Sequence, residues 1–263
     1  GASGGRGFHQ YAVGYKEVED REGTWRDCED GRLSGNAVAQ GAVDSSVSIQ
    51  LEIPPHDYGV AHYWIACGTS LREVAALDAA SKGIGVEQML LEVENYWSAW
   101  LNRLQLDLNL VPKSVSRLFK RSLLLMRAHL DDRGGSLASL DSDIVGIHRD
   151  TYSYIWPRDG AMAALAFTSA GFTHLASRFF AFCNRVIGND GFFRHKYLPD
   201  GSLGSTWHAL IDASGKLQLP IQEDETASVL YALWKYYEKA GNIEFVTKVY
   251  DRLVLKTADF LVN

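Results

Sequence analysis

Two short stretches of this 263-residue chain carry the residue types that chemistry needs. The first is Tyr152-Ser-Tyr-Ile-Trp-Pro-Arg-Asp-Gly160, where three aromatic rings, a rigid proline and an adjacent Arg158-Asp159 pair precede an apolar run. Aromatic faces with one charged donor and one acceptor suit a sugar ring, which offers C–H faces to stack on and hydroxyls to hydrogen-bond. A buried ion pair within an aromatic core at a helix start accounts for the same residues. The second stretch is Leu219-Pro-Ile-Gln-Glu-Asp-Glu-Thr-Ala227, with three consecutive carboxylates. Acids suit the positive end of a helix dipole, so these three also read as ordinary helix-start residues.

An acid that must hold its proton near neutral pH needs an apolar wall. On a helical wheel from Glu223, the apolar face holds Leu230, Leu233, Trp234 and Tyr237, with Glu223 close to it. Asp224 falls on the polar side with Lys235 and Lys239, and Glu225 at the far edge. Glu223 is therefore the expected acid, with Glu225 as the alternative. Between the two stretches, Trp207 on a Gly/Ser-rich loop is either a second stacking platform or an anchor for that loop. His148, His195 and His208 show no metal-ligand spacing, and no nucleophile elbow, phosphate loop or dinucleotide fingerprint is present.

These segments sit in a chain of two textures. Gln10 to Val18, Asn36 to Val43, Ser46 to Ile53 and His62 to Cys67 read as strands, with few helical patterns before residue 82, so this part is expected to be a β layer. Val86 to Leu104 reads as a helical connector, and Pro112 opens a helix to Leu130 with Val115, Leu118, Phe119, Leu123 and Met126 on its apolar side. Ala161 to Ala170 is apolar nearly all round and is expected to be buried all round. Phe172 to Ile187 is amphipathic. After a Gly-rich excursion from Gly188 to Leu219 come helices at about Glu223 to Ala240 and Asn242 to Val262. Buried helices alternating with amphipathic ones imply two helical layers.

Bulk properties narrow the function classes. The chain is 46% hydrophobic, enough for a sizeable core. A net charge of -6 and a pI near 5.8 argue against nucleic acid or an anionic membrane surface as partner. Apolar runs fall short of the ~20 residues of a membrane span. Cys28, Cys67 and Cys183, odd in number and widely spaced, read as reduced, partly buried thiols, consistent with a cytoplasmic location. The opening Gly-Ala-Ser-Gly-Gly reads as a tag remnant or an interior cut, without a visible secretory leader.

The blocks Trp156-Pro-Arg-Asp-Gly160 and Pro220-Ile-Gln-Glu-Asp-Glu-Thr-Ala227, in this order, resemble glycoside hydrolase family 15, most closely its prokaryotic glucoamylase and glucodextranase branch. The resemblance implies a multidomain α+β chain. The C-terminal part of a β-sandwich would occupy residues 1–82, a helical linker 83–112, and the first part of an (α/α)6 barrel 113–263. It implies an inverting hydrolase that releases glucose from α-linked glucose oligosaccharides. Trp156, Arg158 and Asp159 would grip the terminal glucose, Tyr152 would orient the water side, Glu223 would be the general acid and Trp207 the platform near it. The family's general base lies on a later helix, so the chain reads as a fragment that is inactive without the C-terminal remainder of the same protein. No cofactor is expected; calcium occurs in the family, but no oxygen-rich ligand cluster stands out. Two alternatives stay open. A disaccharide phosphorylase shares the plan and needs one acid, and a glucan-sensing module would need none.

Overall fold

The computed structural model describes residues 1–3, 7–16, 23–140, 152–205 and 211–263. The chain divides into two units, Gly1–Tyr96 and Trp97–Asn263. The described part of the first unit holds β1 (Ala2–Ser3), β2 (Phe8–Tyr15), a single helical turn α1 (Thr24–Asp27), β3 (Val43–Ile49), β4 (His62–Tyr63) and α2 (Leu71–Ile84), and α3 (Val86–Leu101) begins in it. β2 pairs antiparallel with β3, Tyr11 opposite Val47 and Val13 opposite Ser45, with an irregularity between Phe8 and Gln10. β1 pairs with β4. Asp44 of β3 ties down α1, accepting from the Thr24 backbone N–H at 3.1 Å and from its hydroxyl at 2.7 Å.

Several strand expectations need correction here. Asn36 to Val43 is no strand before Val43, although it lies along β2: Val13 N–H donates to the Asn36 carbonyl at 2.8 Å, and Asn36 Nδ2 donates back to Val13 at 2.6 Å. An asparagine side chain thus replaces one rung of a ladder. β3 stops at Ile49, short of Leu51 and Ile53, and of His62 to Cys67 only two residues pair. A helix also stands where a β layer was expected. The Ser70 side chain caps α2 by accepting from Glu73 N–H, while the Glu73 carboxylate accepts from Thr69 N–H at 2.7 Å. Reciprocal bonds of this type satisfy orphan helix donors and start a helix in a segment read mainly for strands.

The main core lies in the second unit. Its helices are the end of α3, α4 (Lys113–Ala128), α5 (Pro157–Ser169), α6 (Thr173–Val186), α7 (Glu225–Ala240), α8 (Ile243–Val249) and α9 (Lys256–Val262), the last two joined by a wider π turn at Tyr250–Leu255. One apolar cluster sets Ala161 and Ala164 of α5 against Phe179, Phe180 and Cys183 of α6 and Val229, Leu233 and Tyr236 of α7. A second gathers Trp100, Leu123, Phe167, Phe172 and Leu175, with Trp100 and Phe172 stacked at 4.2 Å and 7°.

α5 is not buried all round. Ala161, Ala164, Phe167 and Thr168 face the interior, but Met162 is 53% exposed and Ser169, two turns on, is exposed as well. Apolar composition allows burial; it does not supply a neighbour for every face. On α4, Leu123 is buried and Phe119 and Met126 pack beside it, whereas Val115 and Leu118 stay exposed. The three thiols are free, Cys28 and Cys67 exposed and only Cys183 buried. Among the described residues no helix is long and apolar enough to cross a membrane.

Candidate active site

The site is built where two helices begin. Trp156 is the N-cap of α5 in extended conformation and Pro157 its first helical residue, where a missing N–H is harmless and φ is already helical. The strand-like approach is pinned by paired backbone bonds between Ile155 and Tyr197 at 2.8 and 2.9 Å. Helix α7 begins at Glu225, two residues later than its sequence suggests. The buried Thr226 hydroxyl accepts from Phe193 N–H at 3.1 Å, and His195 N–H donates to the Pro220 carbonyl at 2.8 Å. These bonds hold the start of α7 against the Gly188–Leu219 segment.

The two stretches meet at Arg158. Its Nη1 donates to Asp224 Oδ1 at 3.2 Å, across 66 residues of sequence, and its Nε lies 3.7 Å from Asp159 Oδ1. All three side chains are partly exposed, so solvent screens the pairs and their worth is geometric more than energetic. Arg158, Glu223 and Asp224 together line an open cleft of about 880 Å³, shared with the Leu217–Gln222 stretch, Asp212 and Lys216.

The aromatic residues form a neighbouring stack. Tyr152, 61% exposed, leans on Trp156 with ring centroids 5.9 Å apart, and Trp156 itself is only 4% exposed. Tyr154 meets Trp156 edge-on at 5.8 Å. Neither Tyr152 nor Trp156 is among the residues lining the cleft. Trp207, with His208, lies outside the described residues, as does His148.

Glu223 and Glu225 exchange the surroundings that the wheel assigned them. Because α7 starts at Glu225, its buried face runs through Glu225, Val229, Ala232 and Tyr236, four positions at helical spacing. Glu225 is 0% exposed, and neither carboxyl oxygen has a hydrogen-bond partner among the described residues. Burial pushes its carboxyl up to about 9; the Arg158 charge pulls it down, and Asp224 and Asp159 push it further up. Glu225 is therefore neutral at pH 7. Glu223 precedes the helix, is exposed and faces the cleft. The apolar wall expected beside Glu223 belongs to Glu225.

Two residues that sequence reasoning passed over belong to this neighbourhood. Asp224, assigned to the polar side, is the partner of Arg158. Lys196 is 1% exposed, with Nζ 4.2 Å from the Tyr154 ring centroid and 5.4 Å from that of Trp156. Cation–π contact with two rings supports a cation there, but its segment, Arg194-His-Lys-Tyr197, reads as surface. Among the described residues no group of three or more His, Cys, Asp or Glu side chains is placed to hold a metal ion.

No protein-family model matches the chain. It is 25% identical over 170 residues to an uncharacterized glycosyl hydrolase of Methanocaldococcus jannaschii, an alignment covering 64% of this chain and 24% of that protein. The chain thus matches about a quarter of the length of this curated relative. Its structure is similar to that of a bacterial glucoamylase solved in complex with acarbose, with a TM-score of 0.62 and 19% identity over 99% of this chain and 35% of the glucoamylase. The likeness shows a shared fold.

Proposed function

We propose that this chain is part of an inverting α-glucoside hydrolase that releases glucose from the non-reducing end of α-linked oligosaccharides. The observation that carries the reading is the meeting of Arg158 with Asp224 beside Glu223 at one cleft, next to the Tyr152–Trp156 stack. The similarity to a glycosyl hydrolase over 170 residues supports the same class. In this reading the first unit belongs to a β-sandwich and the second to an (α/α)6 barrel, and the protein works in the cytoplasm.

The division of labour follows from accessibility. A general acid must reach the glycosidic oxygen, to within about 3 Å. Glu223 lines the cleft; Glu225 holds its proton at pH 7 but is sealed from it. Glu223 is therefore the proposed acid. Arg158 and Asp159 hold the terminal glucose by its hydroxyls, and Tyr152 supplies the exposed stacking face. Trp207 is proposed as the platform near the acid. Inversion also needs a carboxylate base on the far side of the sugar, ~6.5–9.5 Å from the acid. In this reading the base comes from outside these 263 residues, and the chain alone does not turn over substrate.

The test uses maltose and the longer polypeptide that carries this chain. Glu223→Gln is expected to lower kcat by about 10²–10⁴-fold, and glucose should first appear as the β anomer by NMR. Retained α configuration, or full activity in Glu223→Gln, would sink the assignment. Clear turnover by the 263-residue chain alone would contradict the external base.

A further inference from the structure

We infer that Glu225 is a positioning residue for Arg158: uncharged, it leaves the guanidinium at the cleft, and ionised, it draws the guanidinium inward. The inference rests on the sugar-binding reading for its ligand and concerns a carboxyl which that mechanism leaves unused.

Arg158 stands between carboxylates of different kinds. Asp224 at 3.2 Å and Asp159 at 3.7 Å hold it from the partly exposed side. Glu225 acts on the same charge from a position with no exposure at all. At equal separation a buried charge attracts several times more strongly than one in water: two unit charges 4 Å apart interact by about 1 kcal/mol in water and about 4 at an effective dielectric near 20. An ionised Glu225 therefore outweighs either surface partner, while a neutral one leaves the surface geometry intact.

Nothing else competes for its charge. Neither carboxyl oxygen has a hydrogen-bond partner among the described residues. The titratable and charged groups facing it are Arg158 and Asp159 from α5, Asp224 beside it, and Tyr197 from the Gly188–Leu219 segment. Arg158 stays charged throughout, and burial pushes the Tyr197 phenol up and holds it neutral while its oxygen accepts from Arg194 N–H at 2.8 Å. The carboxyl itself is held up to about 9, so the inward pull begins in mildly alkaline solution.

The experiment follows Arg158 directly. The ¹³Cζ resonance of Arg158 and the Kd for maltose are measured from pH 6.5 to 10.5 in the unmodified chain and in Glu225→Gln. In the unmodified chain the resonance is expected to move with a midpoint near pH 9. Kd is expected to rise about tenfold per pH unit above that midpoint, because the binding-competent fraction falls in proportion. Both changes should flatten in Glu225→Gln. A resonance that stays flat in the unmodified chain overturns the inference whether or not maltose binds, and this measurement does not depend on how the variant folds. An alkaline shift that persists in a folded Glu225→Gln overturns it too. A moving resonance without maltose binding at any pH upholds the Glu225–Arg158 coupling and overturns the sugar reading instead.

Discussion

Glu225 carries a cost that the rest of the molecule must offset. Its carboxyl is at 4.5 in a model setting and about 9 in the fold, so between these values the unfolded chain is ionised there and the folded one is not. The folded state then binds the extra proton, and stability falls as pH rises from about 4.5 to about 9. The slope from this one group is at most about 1.4 kcal/mol per pH unit. Glu225→Gln removes the titration and keeps the shape. Urea midpoints at pH 5 and pH 8 should show the variant gaining stability over the unmodified chain at the higher pH; an unchanged difference would mean that Glu225 is ionised in the fold.

At the scale of elements, the site depends on how closely the start of α5 approaches α6. Gly160 lies in the first turn of α5, and a Cβ built there would come within 2.1 Å of the Phe179 ring. Gly160→Ala gains about 1 kcal/mol of helix propensity but overpacks a full core, which costs about 1–3 kcal/mol. Phe179 is 1% exposed with little room to yield, so the second effect wins. A lowered Tm is expected, with maltose affinity falling too, since Arg158 is two residues away. The elements themselves were largely legible. Pro157, the apolar run after Gly160 and the Arg178 and Arg185 pattern of α6 all point to the helices that form. The start of α7 was not legible to within a turn. Three acids in a row suit any of several first positions, and Thr226 bonding to Phe193, 33 residues away, helps select one. A two-residue shift in that start was enough to exchange the surroundings of Glu223 and Glu225.

At the scale of the whole chain, α7 and the helices after it leave an apolar cleft of about 530 Å³ lined by Leu230, Trp234, Tyr237, Ile243 and Val246, with Trp234 55% exposed. Contiguous apolar surface of this kind favours association in water. The chain should therefore scatter light increasingly with concentration, and Trp234→Glu should reduce that scattering; equal scattering would show that this face is not the cause. The wheel that singled out Leu230, Leu233, Trp234 and Tyr237 did find a real apolar stripe, and Leu233 is buried, but most of the stripe borders this cleft. The inward face is the one through Val229, Ala232 and Tyr236.

The sequence by itself determined which residue types are present and roughly where the helices run, because helix periodicity and Trp156-Pro-Arg-Asp-Gly160 are local signals. It also determined that the two chemical stretches head separate helices. What only the tertiary structure decided is how they meet: that Arg158 pairs with Asp224, that Lys196 is buried against two rings, and that Glu225 rather than Glu223 is the carboxyl kept out of water. Burial, ion pairing and proton affinity are properties of contacts between distant segments, and a wheel drawn on one helix contains only one side of each contact.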